Sequence, residues 1–173
     1  TGMEILTRSM KGSYVRVQLF TKHGTHKGYE DKSTAWTEVG SAVIVSQGAD
    51  DTTPLPMSFF NEANKNIIMI EPSTVHAFFI LLKEPNLRYT KGNRSTNDGR
   101  VKIHSGSGFG APTFEIQDAP VYSPRTWNGI IHYKTTVSSP IAPIAKSEQS
   151  ANKEIMTTFD GNHNSYGFMF DTR

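Results

Sequence analysis

The sequence contains no cysteine, and this absence excludes several classes of protein at once. None of its 173 residues can form a disulfide, bind zinc or an iron–sulfur cluster through sulfur, or act as a thiol nucleophile. The absence leaves the redox state of the compartment, and so the localisation, open. We expect no cofactor.

Long hydrophobic runs are also missing. The longest strongly apolar stretch, AFFILL at 77–82, is far shorter than the ~20 residues of a membrane-spanning helix, so we expect no membrane insertion. Charge of either sign is modest, because 18 Lys and Arg residues face 16 Asp and Glu residues. The resulting net charge of +2 does not by itself indicate a nucleic-acid partner.

Short strand patterns dominate what is present. SYVRVQLF at 13–20 alternates apolar and polar side chains, with the two-residue period of a strand that has one face in water. AVIVS near residue 42, NIIMIE near 67 and AFFILLK near 78 are continuous apolar runs, typical of strands buried on both faces. Roughly ten such segments predict an all-β fold: a single antiparallel β-sandwich of jelly-roll type over residues 1–173, with at most two short helices.

The same patterns predict which side chains form the core. Apolar residues on one face of each strand should be buried together, although an error of one residue in register moves a whole set to the other face. The predicted core residues are Val15, Val17, Leu19, Val43, Val45, Ile68, Phe79, Leu81, Val101, Ile103, Phe114, Ile116, Ile131 and Phe168.

Residues 137–153 depart from the strand pattern. They contain two prolines and no alternation, which indicates an irregular arm or a long loop. A short helix is expected within IAKSEQSANKEIM at 144–156. Ile141, Ile144 and Ile155 are apolar residues that a lone surface loop does not need, so the segment is either a packed loop or an arm that lies on a neighbouring subunit.

The most distinctive charged segment is LRYTKGNRSTNDGRVKIH at 87–104. As a hairpin, it would bring the cations of its two halves together across the strands and concentrate positive potential. Such a surface attracts an anionic polymer, either a nucleic acid or a glycan, although basic hairpins also serve as solvated strands that discourage edge pairing. The candidate anion-binding residues are Arg88, Lys91, Arg94, Arg100 and Lys102.

Metal-binding patterns are weak. His23 and His26 are three residues apart, so on a strand they would point to opposite faces, and the glycines beside them favour a hairpin loop. DGNHNSYGFMFD at 160–171 spaces oxygen atoms as a calcium loop does, but Ser165 stands where that loop needs glycine. We predict no metal site and a polar turn at this segment, with only weak calcium candidates at Asp160, Asn162 and Asn164.

Catalytic motifs are missing as well. GSGFG at 106–110 lacks the Lys-Ser/Thr pair of a phosphate-binding loop, so we expect a glycine-rich turn. There is no GxSxG elbow and no local group of Ser, His and Asp, although a triad drawn from distant segments stays open. We predict a protein that is not an enzyme.

Two functions that need no catalysis remain. The preferred one is a self-assembling, homo-oligomeric structural subunit such as a viral capsid or coat protein, which the polar loops, the candidate arm and the basic segment favour. The alternative is a lectin-like, carbohydrate-binding module, in which aromatic faces lie beside hydrogen-bonding amides and carboxylates. Its candidate platform residues are Trp127, Trp36 and Tyr122.

Overall fold

The computed structural model describes residues 2–60, 67–116, 118–135, 152–157 and 163–173. In these ranges the chain forms fourteen strands, two short 3-10 turns at Ser33–Ala35 and Met57–Phe60, and no α-helix. The strands are β1 (Gly2–Ile5), β2 (Tyr14–His23), β3 (Thr37–Val45), β4 (Thr53–Pro54), β5 (His76–Leu82), β6 (Leu87–Lys91), β7 (Thr96–Asn97), β8 (Lys102–Ile103), β9 (Gly106–Phe109), β10 (Val121–Trp127), β11 (Gly129–Lys134), β12 (Asn152–Met156), β13 (His163–Ser165) and β14 (Gly167–Thr172).

The strands form two antiparallel sheets. The small sheet has the order β12-β11-β1-β4, and the large sheet has the order β13-β6-β10-β9-β14-β5-β2-β3. Strand β8 pairs with the end of β14, and β7 pairs with β8. The predicted all-β antiparallel sandwich is confirmed, and β3 forms one edge of the large sheet.

The main core lies between the two sheets. The small sheet contributes Met3, Ile5, Ile131 and Ile155, and their partners come from the inner face of the large sheet. The alternation in β2 is confirmed, because Val15, Val17 and Leu19 are all buried in this core.

Strand β5 is buried on both faces, as its continuous apolar run predicts. Phe78, Ile80 and Leu82 face the main core, whereas Phe79 and Leu81 face a second cluster on the outer side of the large sheet. Within the described ranges, no second sheet covers that outer side. Its cover comes from two loop segments, 24–36 and 110–120, which contribute Trp36, Ala111 and Phe114 to the cluster.

Three sequence predictions about strands and core are wrong. In β3, Val43 and Val45 are 57% and 47% exposed and Ile44 is buried, because Val15 pairs with Ile44 and sets the opposite parity. Residues 113–116 form turns rather than a strand, which leaves Ile116 exposed. Residues 67–71 form no strand either, and Ile68 is only partly buried.

The glycine-rich segment is the fourth error. Instead of a turn, Gly106–Phe109 forms β9, a buried strand between β10 and β14. A Cβ atom at Gly106 would lie 1.8 Å from the carbonyl oxygen of Met169, so a larger residue could not occupy this position. Here glycine allows close approach of two backbones.

The predicted arm and helix are only partly described. Residues 137–151 of the arm, with Ile141 and Ile144, lie outside the described residues. Residues 152–156 form strand β12 rather than a helix, and Ile155 is buried in the main core. Because β12 pairs with β11 in its own small sheet, Ile155 does not belong to an arm.

Candidate functional site

A buried polar network connects the outer-face loop to the large sheet. Asp171 Oδ1 accepts a hydrogen bond from the backbone N–H of His26 (2.8 Å) and lies 2.7 Å from His26 Nδ1. Thr25 Oγ1 donates to Asp171 Oδ2 at 2.6 Å. On the other side of the imidazole, His26 Nε2 lies 3.2 Å from Ser107 Oγ. Segments that are distant in the sequence thus place a carboxylate, a histidine and a serine in one chain of hydrogen-bonding contacts.

The three residues follow one another in the Asp–His–Ser order of a catalytic triad, but a substrate cannot reach them. Ser107 is 1% exposed, and His26 and Asp171 are also buried. Ser107 Oγ contacts His26 itself, so a movement of the loop that carries His26 would separate the serine from its base. A working nucleophile needs both its base and room for the reacting atom. The network therefore acts in this structure as an attachment between loop and sheet.

The ionisation state of Asp171 is consistent with its role in attaching the loop to the sheet. Burial by itself raises the pKa of a carboxyl group, but hydrogen bonds from His26 and Thr25 outweigh it and lower the pKa of Asp171. The carboxylate is therefore the stable form, and it accepts charge-assisted hydrogen bonds.

The two loop histidines do not converge. His23 ends β2 and lies beside His76, with 6.3 Å between ring centroids, whereas His26 joins the Asp171 network. Burial, and then the positive charges of His23 and Lys22, lower the pKa of His76. Among the described residues, no three His, Asp or Glu side chains are placed to hold a metal ion.

Within the basic segment, only the short strands β7 and β8 form a hairpin, and it does not include Arg88 or Lys91. Strand β6 pairs with β10 and β13, and β8 pairs with β7 and β14, so the two halves of segment 87–104 are not cross-strand neighbours. Arg88 donates to the carbonyl of Ala49, and Lys102 lies opposite Arg173, with which it exchanges two backbone hydrogen bonds.

The other three predicted cations are also dispersed. The backbone N–H of Arg94 donates to Thr126 Oγ1 (3.1 Å), and Arg100 is exposed in a turn closed by Asp98. Lys91 lies opposite Arg125, a cation from a different segment that the sequence analysis did not select. The strand pairing therefore does not bring the five residues together in the way that the predicted hairpin would.

The aromatic candidates divide into buried and exposed residues. Trp127 is 1% exposed and stacks on Phe170, with 4.5 Å between centroids. Trp36 is buried in the outer-face cluster, and its Nε1 donates to the carbonyl of Tyr29. Neither indole has an open face for a sugar. Tyr122 is 40% exposed and lies 5.9 Å from the guanidinium of Arg125.

Two of the three calcium candidates, Asp160 and Asn162, lie outside the described residues. The third, Asn164, is in β13, and its side-chain amide donates to the carbonyl of Pro85.

One surface feature was not predicted from the sequence. We call Met10, Tyr14, Val43 and Val45 the β2–β3 corner, because they surround the point where β2 begins and β3 ends. Tyr14 and Val45 are directly paired, and Tyr14 is 81% exposed. All four apolar side chains are exposed, and those of Tyr14, Val43 and Val45 lie on the outer side of the sheet. The sequence prediction missed this surface because it placed Val43 and Val45 in the core.

The comparisons with known proteins found no matching family model, curated protein or solved structure. None of the described segments forms a helix of sufficient length and apolar character to cross a bilayer.

Proposed function

We propose that this protein is a self-assembling structural subunit whose copies associate through the β2–β3 corner. The single observation that carries the proposal is the cluster of exposed apolar side chains on an edge of the large sheet. Contiguous exposed apolar surface on a folded domain marks a surface that another molecule covers. A second copy of the chain is the partner that a homo-oligomer supplies.

The edge strand itself supports association. Strand β3 has nine residues and pairs, within the described residues, only with β2. Sheets usually protect a long edge with lysine, proline or a bulge, because an edge is a template for pairing with another chain. In β3 the only charged residue is Glu38, at the end away from the corner. The β-bulge of the β2–β3 pairing lies near Gly40 and Glu38, also away from the corner. The end of β3 near Val43 and Val45 has neither a bulge nor a charged residue of its own, and Arg16 of β2 lies opposite Val43.

The assembly proposal also fits the fold class, since sandwiches and jelly rolls include the coat proteins of viral shells. Fold class alone does not distinguish a coat subunit from a lectin. The lectin-like alternative has lost support in this respect, because two of its three platform residues are buried.

The experiment is sedimentation velocity over a wide range of protein concentration. The test variant is Val43→Lys with Val45→Lys, which places two charges in the β2–β3 corner. The matched control is Ile116→Lys with Val121→Lys, because both residues are exposed apolar side chains outside the corner.

We expect the wild-type chain and the control to form larger species as concentration rises, and the corner variant to remain monomeric. A wild-type chain that stays monomeric at every concentration would contradict the proposal. Equal association of the corner variant and the control would place the interface elsewhere.

A further inference from the structure

Two cations lie directly opposite each other on neighbouring strands. Arg125 in β10 pairs in register with Lys91 in β6. Like charges in this position destabilise a sheet. Neither side chain belongs to any ion pair between the described residues. Between the described residues, the fold thus gives this pair of cations no carboxylate at ion-pair distance, as a site for an anionic group does.

Aromatic rings fix the position of one of these cations. The guanidinium carbon of Arg125 lies 5.7 Å from the ring centroid of Tyr89 and 5.9 Å from that of Tyr122. Its Nη1 donates to the carbonyl of Pro124 (2.9 Å), whereas its buried Nε has no partner among the described residues. The guanidinium therefore lies near two aromatic rings, and because Nε is buried, its terminal Nη nitrogens are the donors that a ligand could approach.

The two tyrosines have different exposures. Tyr89 is buried and packs against Gly108, whose missing side chain leaves room for the ring, since a Cβ there would lie 3.1 Å from it. His163 stacks on Tyr89 with an angle of 14° between the rings. Tyr122 pairs with Gly108 across β9 and β10 and presents its ring to solvent. Tyr89 therefore supports the group, and Tyr122 is the aromatic surface that a ligand can reach.

We propose that Lys91, Arg125 and Tyr122 bind single-stranded nucleic acid, with phosphates at the two cations and a base stacked on Tyr122. Cations combined with an exposed aromatic ring are the usual means of binding single strands, because every unpaired base has a face that can stack. A duplex offers the same phosphates but keeps its bases paired and out of reach of the ring. The exposed Tyr122 therefore favours a single strand over a duplex.

This proposal is independent of the assembly through the β2–β3 corner, since the two surfaces share no residue. It retains only Lys91 from the predicted basic segment and adds a cation and an aromatic residue from β10. The binding measurements are made at protein concentrations below any association, so failure of one proposal leaves the other intact.

The experiment measures the fluorescence anisotropy of a labelled oligothymidylate of about 12 nucleotides, a length within the usual site sizes of such proteins. The variants of the full chain are Lys91→Gln, Arg125→Gln and their combination, together with Tyr122→Leu and Tyr122→Phe. The matched control is Lys83→Gln, since Lys83 is an exposed cation that has no ion pair among the described residues. A duplex of the same length and sulfated heparin are the competing probes.

We expect the double variant to reduce the slope of log K against log salt by about 1.4, because each phosphate contact with a single strand contributes about 0.7. Tyr122→Leu should weaken binding about 5- to 150-fold, and Tyr122→Phe should restore it, because stacking needs the ring and not the hydroxyl. Lys83→Gln should leave both quantities unchanged. Lys91→Gln changes an exposed side chain and so gives a result even if Arg125→Gln fails to fold.

Three results would overturn the proposal. The first is no binding of the oligonucleotide by the wild-type chain at low salt. The second is an equal effect of Lys83→Gln, which would place the site elsewhere. The third is binding of the duplex or heparin at least as tight as that of the single strand with no effect of Tyr122→Leu, which would show a general polyanion surface without stacking.

Discussion

The outer face of the large sheet has two halves that differ in whether loops cover them. In the half around β5, β9 and β14, the loops 24–36 and 110–120 cover Phe79 and its neighbours and close a second core. In the half at the β2–β3 corner, Tyr14, Val43 and Val45 stay in contact with solvent. Both halves carry apolar side chains, but within the described residues only one is covered by the chain itself. The covered half therefore contributes to folding, and the bare half is available to another molecule.

The largest expected effect comes from truncation in the covered half. Phe79 is fully buried and contacts four aromatic rings, those of Phe20, Trp36, Phe109 and Phe114. Phe79→Ala should lower the free energy of unfolding by about 3–5 kcal/mol, because it leaves a cavity among rings that cannot collapse into it. Urea unfolding measures this change. An unchanged unfolding midpoint would show that the loops do not form a real second core.

The next effect concerns the attachment of the covering loop. Asp171→Asn removes a buried carboxylate that accepts hydrogen bonds from Thr25 and His26, and it should cost about 1–3 kcal/mol. The matched control is Asp51→Asn, because the ion pair of Asp51 with Lys11 is exposed and should contribute no more than about 1 kcal/mol. Equal losses in the two variants would show that the network does not hold the loop.

The pH dependence of the Asp171 variant gives a second readout. The pKa of Asp171 is lowered in the folded protein, so its stabilising effect is present above the ordinary value of 3.8 and is lost as the pH falls through the folded pKa. The difference in unfolding free energy between the wild-type chain and Asp171→Asn should therefore narrow only in acid below pH 3.8. A difference that disappears already near neutral pH would indicate another cause.

A smaller effect is expected from histidines at the same end of the sheet. Burial lowers the pKa of His76 and of His104, with further contributions from nearby positive charges. The unfolded chain then binds more protons below the ordinary pKa of 6.5, so the free energy of unfolding should fall as the pH drops from 7.5 to 5.5. His76→Gln should reduce this fall. A midpoint in urea that rises with acidification would contradict both shifts.

The sequence allowed the fold class to be predicted because strand periodicity and turn residues are local signals. The run in β5 correctly indicated a strand buried on both faces, since no polar side chain interrupts it. The run AVIV in β3 is likewise uninterrupted by polar side chains, but which of its residues face the core is decided by the pairing of Val15 with Ile44, and no local pattern contains that pairing. The prediction of a core position at Val43 failed for that reason.

The surfaces were harder to predict than the fold because they join distant segments. Lys91 and Arg125 become neighbours only through the pairing of β6 with β10, and Asp171, His26 and Ser107 meet only through the folding of three separate segments. The glycines of β9 are compatible with two structures, because glycine occurs both in tight turns and in strands whose backbones approach closely. Sequence proximity in segment 87–104 therefore suggested the wrong grouping of cations.

The smallest effect on the isolated chain, and the sharpest contrast, is expected within β3. Val43→Ser with Val45→Ser changes side chains that are already exposed, so at low protein concentration the free energy of unfolding should change by less than about 0.5 kcal/mol. Ile44→Ser, between them, changes a buried side chain and should cost several times more. Association stabilises the folded form, so the unfolding midpoint of the wild-type chain should rise with protein concentration. That rise should vanish in the double serine variant, and its persistence there would mean that the bare half of the outer face is not where copies meet.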